Sequence, residues 1–188
     1  MLGIDDEEFI RGEVPMTKQE IRILTLAKAR INSDSVVADV GAGTGSITIE
    51  AARFAFNGKV FAIERKVEAI ELIRRNIEKF SVDNVEIICA EAPNGLENLP
   101  KLNAAIIGGS GGNLEKILDI LYTKLKIGGR IVINAITIQT TAASIAYFRA
   151  HNIKYDAFQA QITRLKKIRA YDMNQVLNPV WIVTAEKI

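Results

Sequence analysis

Residues 37–52 read VADVGAGTGSITIEAA. An apolar run carrying Asp39 leads into glycines at 41, 43 and 45, and a pattern of helical period follows at once through Ile47, Ala51 and Phe54. This order predicts a strand, a tight ligand loop and a helix. Glycine permits positive φ and lets a ligand approach the main chain, while amides at the start of the helix offer donors to an acidic group. A dinucleotide fingerprint would need its third glycine at position 46. That position is Ser46, so a nicotinamide oxidoreductase fails on spacing.

The same alternation extends outward. VVADVG (36–41), KVFAIE (59–64), VEIICA (85–90), AAIIGG (104–109) and GRIVINA (129–135) read as five strands. Between them lie helical patterns: Ile70, Ile73, Ile77 and Phe80; then Leu114, Ile117, Leu118, Leu121 and Leu125, closed by Gly128 and Gly129; then about 138–151. A further helix is expected from Thr17 to about Arg30, with Thr17 and Glu20 in a capping-box pattern. Near-continuous apolar strands alternating with helices imply a parallel sheet covered on both faces. At the end, 156–168 and 178–187 read as two strands pairing as an antiparallel hairpin.

The length of 188 residues suits a single domain, 1–188. Twenty-four Lys and Arg against 22 Asp and Glu give a net charge of +2, which argues against a generic nucleic-acid binder. Aromatics at 6% argue against a base-stacking platform. The lone Cys89 can form no internal disulfide, is expected to be buried packing, and has no Cys/His partners for a metal site. The start, MLGIDDEEFI, has no apolar signal region. The uncharged run 131–148 is interrupted by Asn134, Gln139 and several hydroxyls, which fits a strand and a helix better than a membrane span. A cytoplasmic protein is expected.

Glu64 ends the second strand 23 residues after Gly41, where an acid accepts hydrogen bonds from ribose hydroxyls. Asp39 either braces the turn or faces the ligand. The corner Ala90-Glu91-Ala92-Pro93 follows strand three, and Gly108-Gly109-Ser110-Gly111-Gly112 follows strand four. That second corner lacks an Asn/Asp-Pro-Pro-aromatic motif for a flipped base, a carboxylate cluster for magnesium, and a cysteine nucleophile. His151, the only histidine, is expected as a helix-terminal charge.

The G-x-G-x-G loop and a parallel sheet finished by a hairpin resemble the class I S-adenosylmethionine-dependent methyltransferases, a Rossmann-like α/β fold. More specifically, the chain resembles the decarboxylating precorrin carbon-15 methyltransferases of cobalamin biosynthesis. The resemblance rests on Gly12-Glu13-Val14-Pro15-Met16-Thr17-Lys18 with Glu20-Ile21-Arg22, the loop GAGTGSITIEAA, the corner Ile107-Gly108-Gly109-Ser110-Gly111-Gly112, and Asn178-Pro179-Val180. It implies a cofactor site for S-adenosyl-L-methionine at Thr17, Gly41, Ala42, Gly43, Thr44, Gly45, Glu64 and Ala92, with Glu91 at the adenine corner. Two departures are Asn103 before strand four and Glu91, where the family often has Asp.

The resemblance further implies methylation of carbon 15 of cobalt-precorrin-6B with decarboxylation of the carbon-12 acetate, giving cobalt-precorrin-7. It singles out no catalytic side chain and no protein-bound metal. Gly109 and Ser110 would border the tetrapyrrole. Lys18 and Arg22 would grip its carboxylates, with Arg11 or the cluster Arg164, Lys166, Lys167 and Arg169 as other candidates. Residues 1–33 would form a helical extension that closes the active site, and the protein would be a homotetramer acting without nucleic acid or membrane. Two alternatives stay open: a tRNA base methyltransferase, which shares a similar GTGS loop, and a non-catalytic cofactor-binding subunit.

Overall fold

The computed structural model describes residues 3–188. After a 3-10 turn at Asp6–Glu8, the elements are α1 (Gln19–Ala29), β1 (Val36–Val40), α2 (Ser46–Phe54), β2 (Lys59–Glu64), α3 (Val67–Phe80), β3 (Val85–Cys89), β4 (Leu102–Ile107), α4 (Leu114–Lys124), β5 (Leu125–Ala135), α5 (Ile138–Ala150), β6 (Tyr155–Ala160), β7 (Thr163–Ile168), β8 (Tyr171–Val176) and β9 (Val180–Glu186). Seven strands form one sheet in the order β3-β2-β1-β4-β5-β9-β6. β1 to β5 run parallel, and β9 lies antiparallel between β5 and β6. The chain thus steps from β1 outward to β3, then crosses to β4 on the other side of β1. That reversal opens a crevice at the carboxyl ends of β1 and β4.

The two-residue period of the strands divides the core. Val37, Ala104, Ile106 and Val132 point to the side where Leu26 and Ala29 of α1 pack with Ile49, Ala51 and Ala52 of α2. Their neighbours Ala38, Ala105, Ile107, Ile131 and Ile133 point to the other side, against Ile117, Leu118 and Leu121 of α4 and Phe148 of α5. Both faces being dry explains why these strands lack polar alternation.

Several local expectations are corrected. Helix α1 begins at Gln19, with Lys18 at its cap and no side-chain capping bond; Glu20 is taken by Arg164 instead. Helix α4 ends at Lys124, and Leu125, which fits the helical period, already pairs with Leu102 in the sheet. Gly128 and Gly129 therefore lie inside β5, near a register shift, rather than closing the helix. The stretch 156–168 is two strands. Only the first, β6, pairs with β9, while β7 turns away to form a separate hairpin with β8. Cys89 is exposed at the sheet edge, not buried. Asn103 has the structural role its position suggests, its Oδ1 accepting from Val36 N at 2.9 Å and from Lys126 Nζ at 3.0 Å. His151 caps the end of α5, its Nδ1 2.8 Å from Tyr147 O. Among the described residues, no helix is long and apolar enough to cross a membrane.

Candidate active site

A cavity of about 610 Å³ opens at the crevice, within the range of roughly 300–1,000 Å³ usual for ligand sites. Gly41 forms its floor. Its φ is +72° and its N–H donates to Ile63 O at 2.9 Å. A Cβ there would meet Gly109 N at 2.8 Å and Gly109 Cα at 2.9 Å. The glycine loop after β1 and the glycine corner after β4 therefore touch backbone to backbone. Gly108 N (2.9 Å) and Gly109 N (3.3 Å) tie them further by donating to Val40 O.

Glu64 fixes the next part of the loop. Its Oε2 accepts from Gly43 N at 2.9 Å, and its Oε1 accepts from Arg65 N at 2.9 Å and Lys66 N at 3.0 Å. The acid thus clamps the loop to the head of α3. A carboxylate has about four lone-pair sites, so the three amides leave capacity for a ligand hydroxyl. Asp39 is buried and accepts from Thr48 Oγ1 at 2.6 Å, which braces β1 against α2. It also lines the cavity. Burial pushes its pKa up to about 6, against the pull of the Thr48 hydrogen bond and with a further push from the Glu64 charge.

Of the residues expected around a cofactor, Thr17, Gly41, Ala42, Gly43, Thr44, Glu64, Glu91 and Ala92 all line this cavity. Gly45 does not. It starts α2 at φ +78°, and a Cβ there would lie 3.1 Å from Ile73 Cγ1, so its missing side chain serves the packing of α2 on α3. Glu91 is half exposed and pairs with Arg65 at 2.5 Å beside Gly111. Thr44 Oγ1 is buried with no partner. Residues 14–18 close the loop side, with Pro15 O 3.3 Å from where a Gly43 Cβ would stand.

Gly109 and Ser110, with Lys18 from the 14–18 segment, also line the cavity. Arg22 does not. It is fully buried beneath the cavity, with Nε on Glu50 Oε1 at 2.7 Å and Nη1 on Asp6 Oδ1 at 2.7 Å and Thr17 O at 2.6 Å. Its Nη2 donates to Ile4 O, and its guanidinium lies over the Phe9 ring at 4.7 Å. With its donors committed, Arg22 cannot take a substrate carboxylate. Arg164 is likewise engaged by Glu20 at 2.6 Å and Asp6 at 3.1 Å. Arg11, Lys166, Lys167 and Arg169 lie outside the cavity wall, whereas Arg65 and Lys66, not singled out from the sequence, belong to it.

The sequence reading also missed the far wall: Ile21, Asn134, Ile136, Ile162, Leu177, Asn178 and Val180. Asn178 and Val180 had a signal in the Asn-Pro-Val motif. Asn134 had one in its place at the carboxyl end of a strand, where ligands gather, but it was read only as a break in an apolar run. Leu177 N donates to Ile162 O at 2.9 Å, so the base of the β7–β8 hairpin forms part of this wall. No group of three or more His, Cys, Asp or Glu suited to a metal ion occurs among the described residues.

The family model for the precorrin methyltransferase domain matches residues 8–187. The chain belongs to the precorrin methyltransferase family. A relative from Sulfurisphaera tokodaii, named "Probable cobalt-precorrin-6B C(15)-methyltransferase (decarboxylating)", is 44% identical over 98% of this chain and 97% of its own length. The solved precorrin-6y C5,15-methyltransferase of Geobacter metallireducens superposes with a TM-score of 0.94 at 40% identity, covering 99% of this chain and 97% of that one. The precorrin 8W decarboxylase of Methanobacterium thermoautotrophicum gives 0.92 at 34% identity, covering 97% and 98%. Methyltransferases at 12–20% identity, two of them RNA enzymes, share the fold alone and lend the tRNA alternative no support.

Proposed function

We propose that the protein methylates carbon 15 of cobalt-precorrin-6B and decarboxylates the acetate on carbon 12, giving cobalt-precorrin-7. The observation that carries this reading is one continuous cavity whose two halves differ in chemistry, in a chain of this family. Sheet order separates the halves: Gly41, Ala42, Gly43, Thr44, Glu64 and Ala92 lie across β1 to β3, and an apolar wall lies across β5 and β9.

The first half fits S-adenosyl-L-methionine. The spare capacity on Glu64 suits ribose hydroxyls, the orphaned Thr44 hydroxyl lacks a partner that a ligand could supply, and the glycines leave room for close approach. When bound there, the cofactor supplies a methyl group activated by a sulfonium. Glu91 and Ala92 border the adenine, and Thr17, in the segment that covers the loop, contacts the cofactor from above. Of the expected extension 1–33, residues 1 and 2 lie outside the described residues, and residues 3–33 act to close the site.

The second half receives the tetrapyrrole. Ile21, Ile136, Ile162, Leu177 and Val180 offer an apolar face to the macrocycle, while Gly109 and Ser110 leave space beside the floor. The conjugated ring is itself the carbon nucleophile, so the chain's task is to hold it in line and dry; positioning of this kind supplies up to roughly 7–11 kcal/mol in the best-oriented systems. Lys18 meets a substrate carboxylate at the rim. Lys18→Gln should therefore raise the substrate KM by about three- to tenfold while calorimetry finds the cofactor Kd unchanged. An unchanged KM would remove Lys18 from the site.

The protein assembles as a homotetramer through the β7–β8 hairpin. Leu165, Tyr171, Met173 and Val176 are all more than half exposed on it, and such a cluster marks an interaction surface. Leu165 and Val176 lie on one face of the ribbon and Tyr171 and Met173 on the other, so the double variant Leu165→Lys/Tyr171→Glu, which charges both faces, should sediment as smaller species than wild type; an unaltered mass would place the contact elsewhere.

Mass spectrometry of protein incubated with S-adenosylmethionine and cobalt-precorrin-6B tests the main reading. The product should gain one methyl group and lose one carbon dioxide. Methyl gain without that loss would detach the decarboxylation, and no conversion despite cofactor binding would overturn the assignment.

A further inference from the structure

Four buried side-chain polar atoms lack a partner among the described residues, and two of them belong to residues lining the one cavity: Thr44 Oγ1 and Asn134 Nδ2. A buried donor without an acceptor is unfavourable, so each of these two, on opposite walls of the cavity, calls for a ligand group. Thr44 lies on the glycine loop. Asn134 lies near the end of β5, with β4 between it and β1. With Asn178 it is one of two polar members of a wall otherwise built from Ile21, Ile136, Ile162, Leu177 and Val180.

The Asn134 side chain is also held in place. Its Oδ1 accepts at 3.0 Å from Thr25 Oγ1, a fully buried hydroxyl of α1 whose single proton is shared with Ile21 O at 2.7 Å one turn back. The carbonyl edge of the amide is therefore engaged, and the NH2 edge is the one left over. An NH2 edge gives protons and takes none, so its missing partner is an acceptor. On a tetrapyrrole of the proposed class, the strongest acceptors are the peripheral carboxylates, and hydrogen bonds to charged groups are the strong ones.

We infer that Asn134 is a substrate-contacting residue whose amide N–H binds a carboxylate arm of the tetrapyrrole, with Thr25 as the positioning residue that aims it. The inference rests on the proposed function and adds to it an uncharged donor set within an apolar wall, separate from Lys18. Such a donor orients a carboxylate without neutralising it, and leaves it poorly solvated.

The test compares wild type with Asn134→Leu and Asn134→Asp, using the full chain, S-adenosylmethionine and cobalt-precorrin-6B. Leucine has similar size and removes the unpaired donor, so Asn134→Leu should melt at the wild-type temperature or above and keep its cofactor Kd within about twofold. Its substrate KM should nevertheless rise roughly 10- to 100-fold. Asn134→Asp places a negative charge against the arm and should raise KM at least as much, again with the cofactor Kd intact. A purely structural role would lower the melting temperature of Asn134→Leu and spare KM. Unchanged KM in both variants, or a cofactor Kd that worsens in step with KM, overturns the inference while wild-type turnover keeps the functional reading standing. Absence of wild-type turnover overturns both.

Discussion

Gly41→Ala is expected to weaken S-adenosylmethionine binding by roughly tenfold or more, the equivalent of the strain the substitution forces on the loop. The strain has two sources. At φ +72° any residue with a Cβ is held in the left-handed region, at a cost of about 1–2 kcal/mol. The new Cβ would also stand 2.8–2.9 Å from N, Cα and O of Gly109. Those are backbone atoms, so no rotamer change can relieve the contact. The loop after β1 must separate from the corner after β4, breaking the bonds from Gly108 and Gly109 to Val40 O. Gly45→Ala is the informative comparison. Its φ is also positive, but its Cβ would meet Ile73, a side chain of α3 outside the cavity. Thermal melting should register both variants, whereas calorimetry should register chiefly Gly41→Ala. Equal loss of affinity in the two would mean that Gly45 belongs to the ligand site.

Arg22→Met is expected to reduce stability by about 3–5 kcal/mol, because it leaves buried Glu50 without its cation and buried Asp6 with only the longer contact to Arg164. For a domain of this size that lowers the melting midpoint by roughly 6–20 °C. Asp6 and Glu50 are both essentially inaccessible, and each holds the guanidinium at 2.7 Å. The effect carries a pH signature. Burial alone would raise the Asp6 pKa, but hydrogen bonding and the charge of Arg22, with smaller pulls from Lys18 and Arg164, hold it below the ordinary 3.8. A carboxyl whose folded pKa is depressed contributes stability that is complete above its unfolded pKa and is lost as pH falls through the folded one. Denaturant titrations should therefore find the wild-type advantage full at neutral pH and shrinking below about pH 4. A variant as stable as wild type at pH 7 would exclude the buried ion cluster as a major support. Any surviving folded Arg22→Met should keep near-normal substrate KM, since the wild-type side chain touches only protein.

The glycine loop and the run of apolar strands were legible because one local pattern determines each: a strand buried on both faces has to be apolar throughout, and a loop with positive φ has to use glycine. Glu64 was legible from its spacing alone. Arg22 was not. Its sequence neighbours Thr17 and Lys18 do line the cavity, but a helix turns each successive side chain by about 100°, and its partners Asp6 and Glu50 are 16 and 28 residues away. Leu125 misled for a related reason: it completes a helical period, while the competing register with Leu102 is a long-range fact. The hairpin split at residues 161–162 was hidden because both strands are rich in β-formers, and only pairing distinguishes a bend from a continuation. The far wall assembles from β5, the hairpin base and β9, so no contiguous stretch announces it.

The placement of β9 sets an order on how this chain can be made. β6 hydrogen-bonds to β9 and to no other strand, and β9 is the strand that reaches β5. During synthesis, β6 therefore leaves the ribosome about twenty residues before β9, the strand that docks it, with β7 and β8 made in between. Long-range pairing of this kind is slow and leaves strand edges open to other chains. Asn178 and Val180 also follow every residue of the glycine loop, so the far wall of the cavity is completed after the loop side. A ribosome that pauses before β9 holds the glycine-loop side of the cavity with the far wall still lacking Val180 and the strand that fixes it.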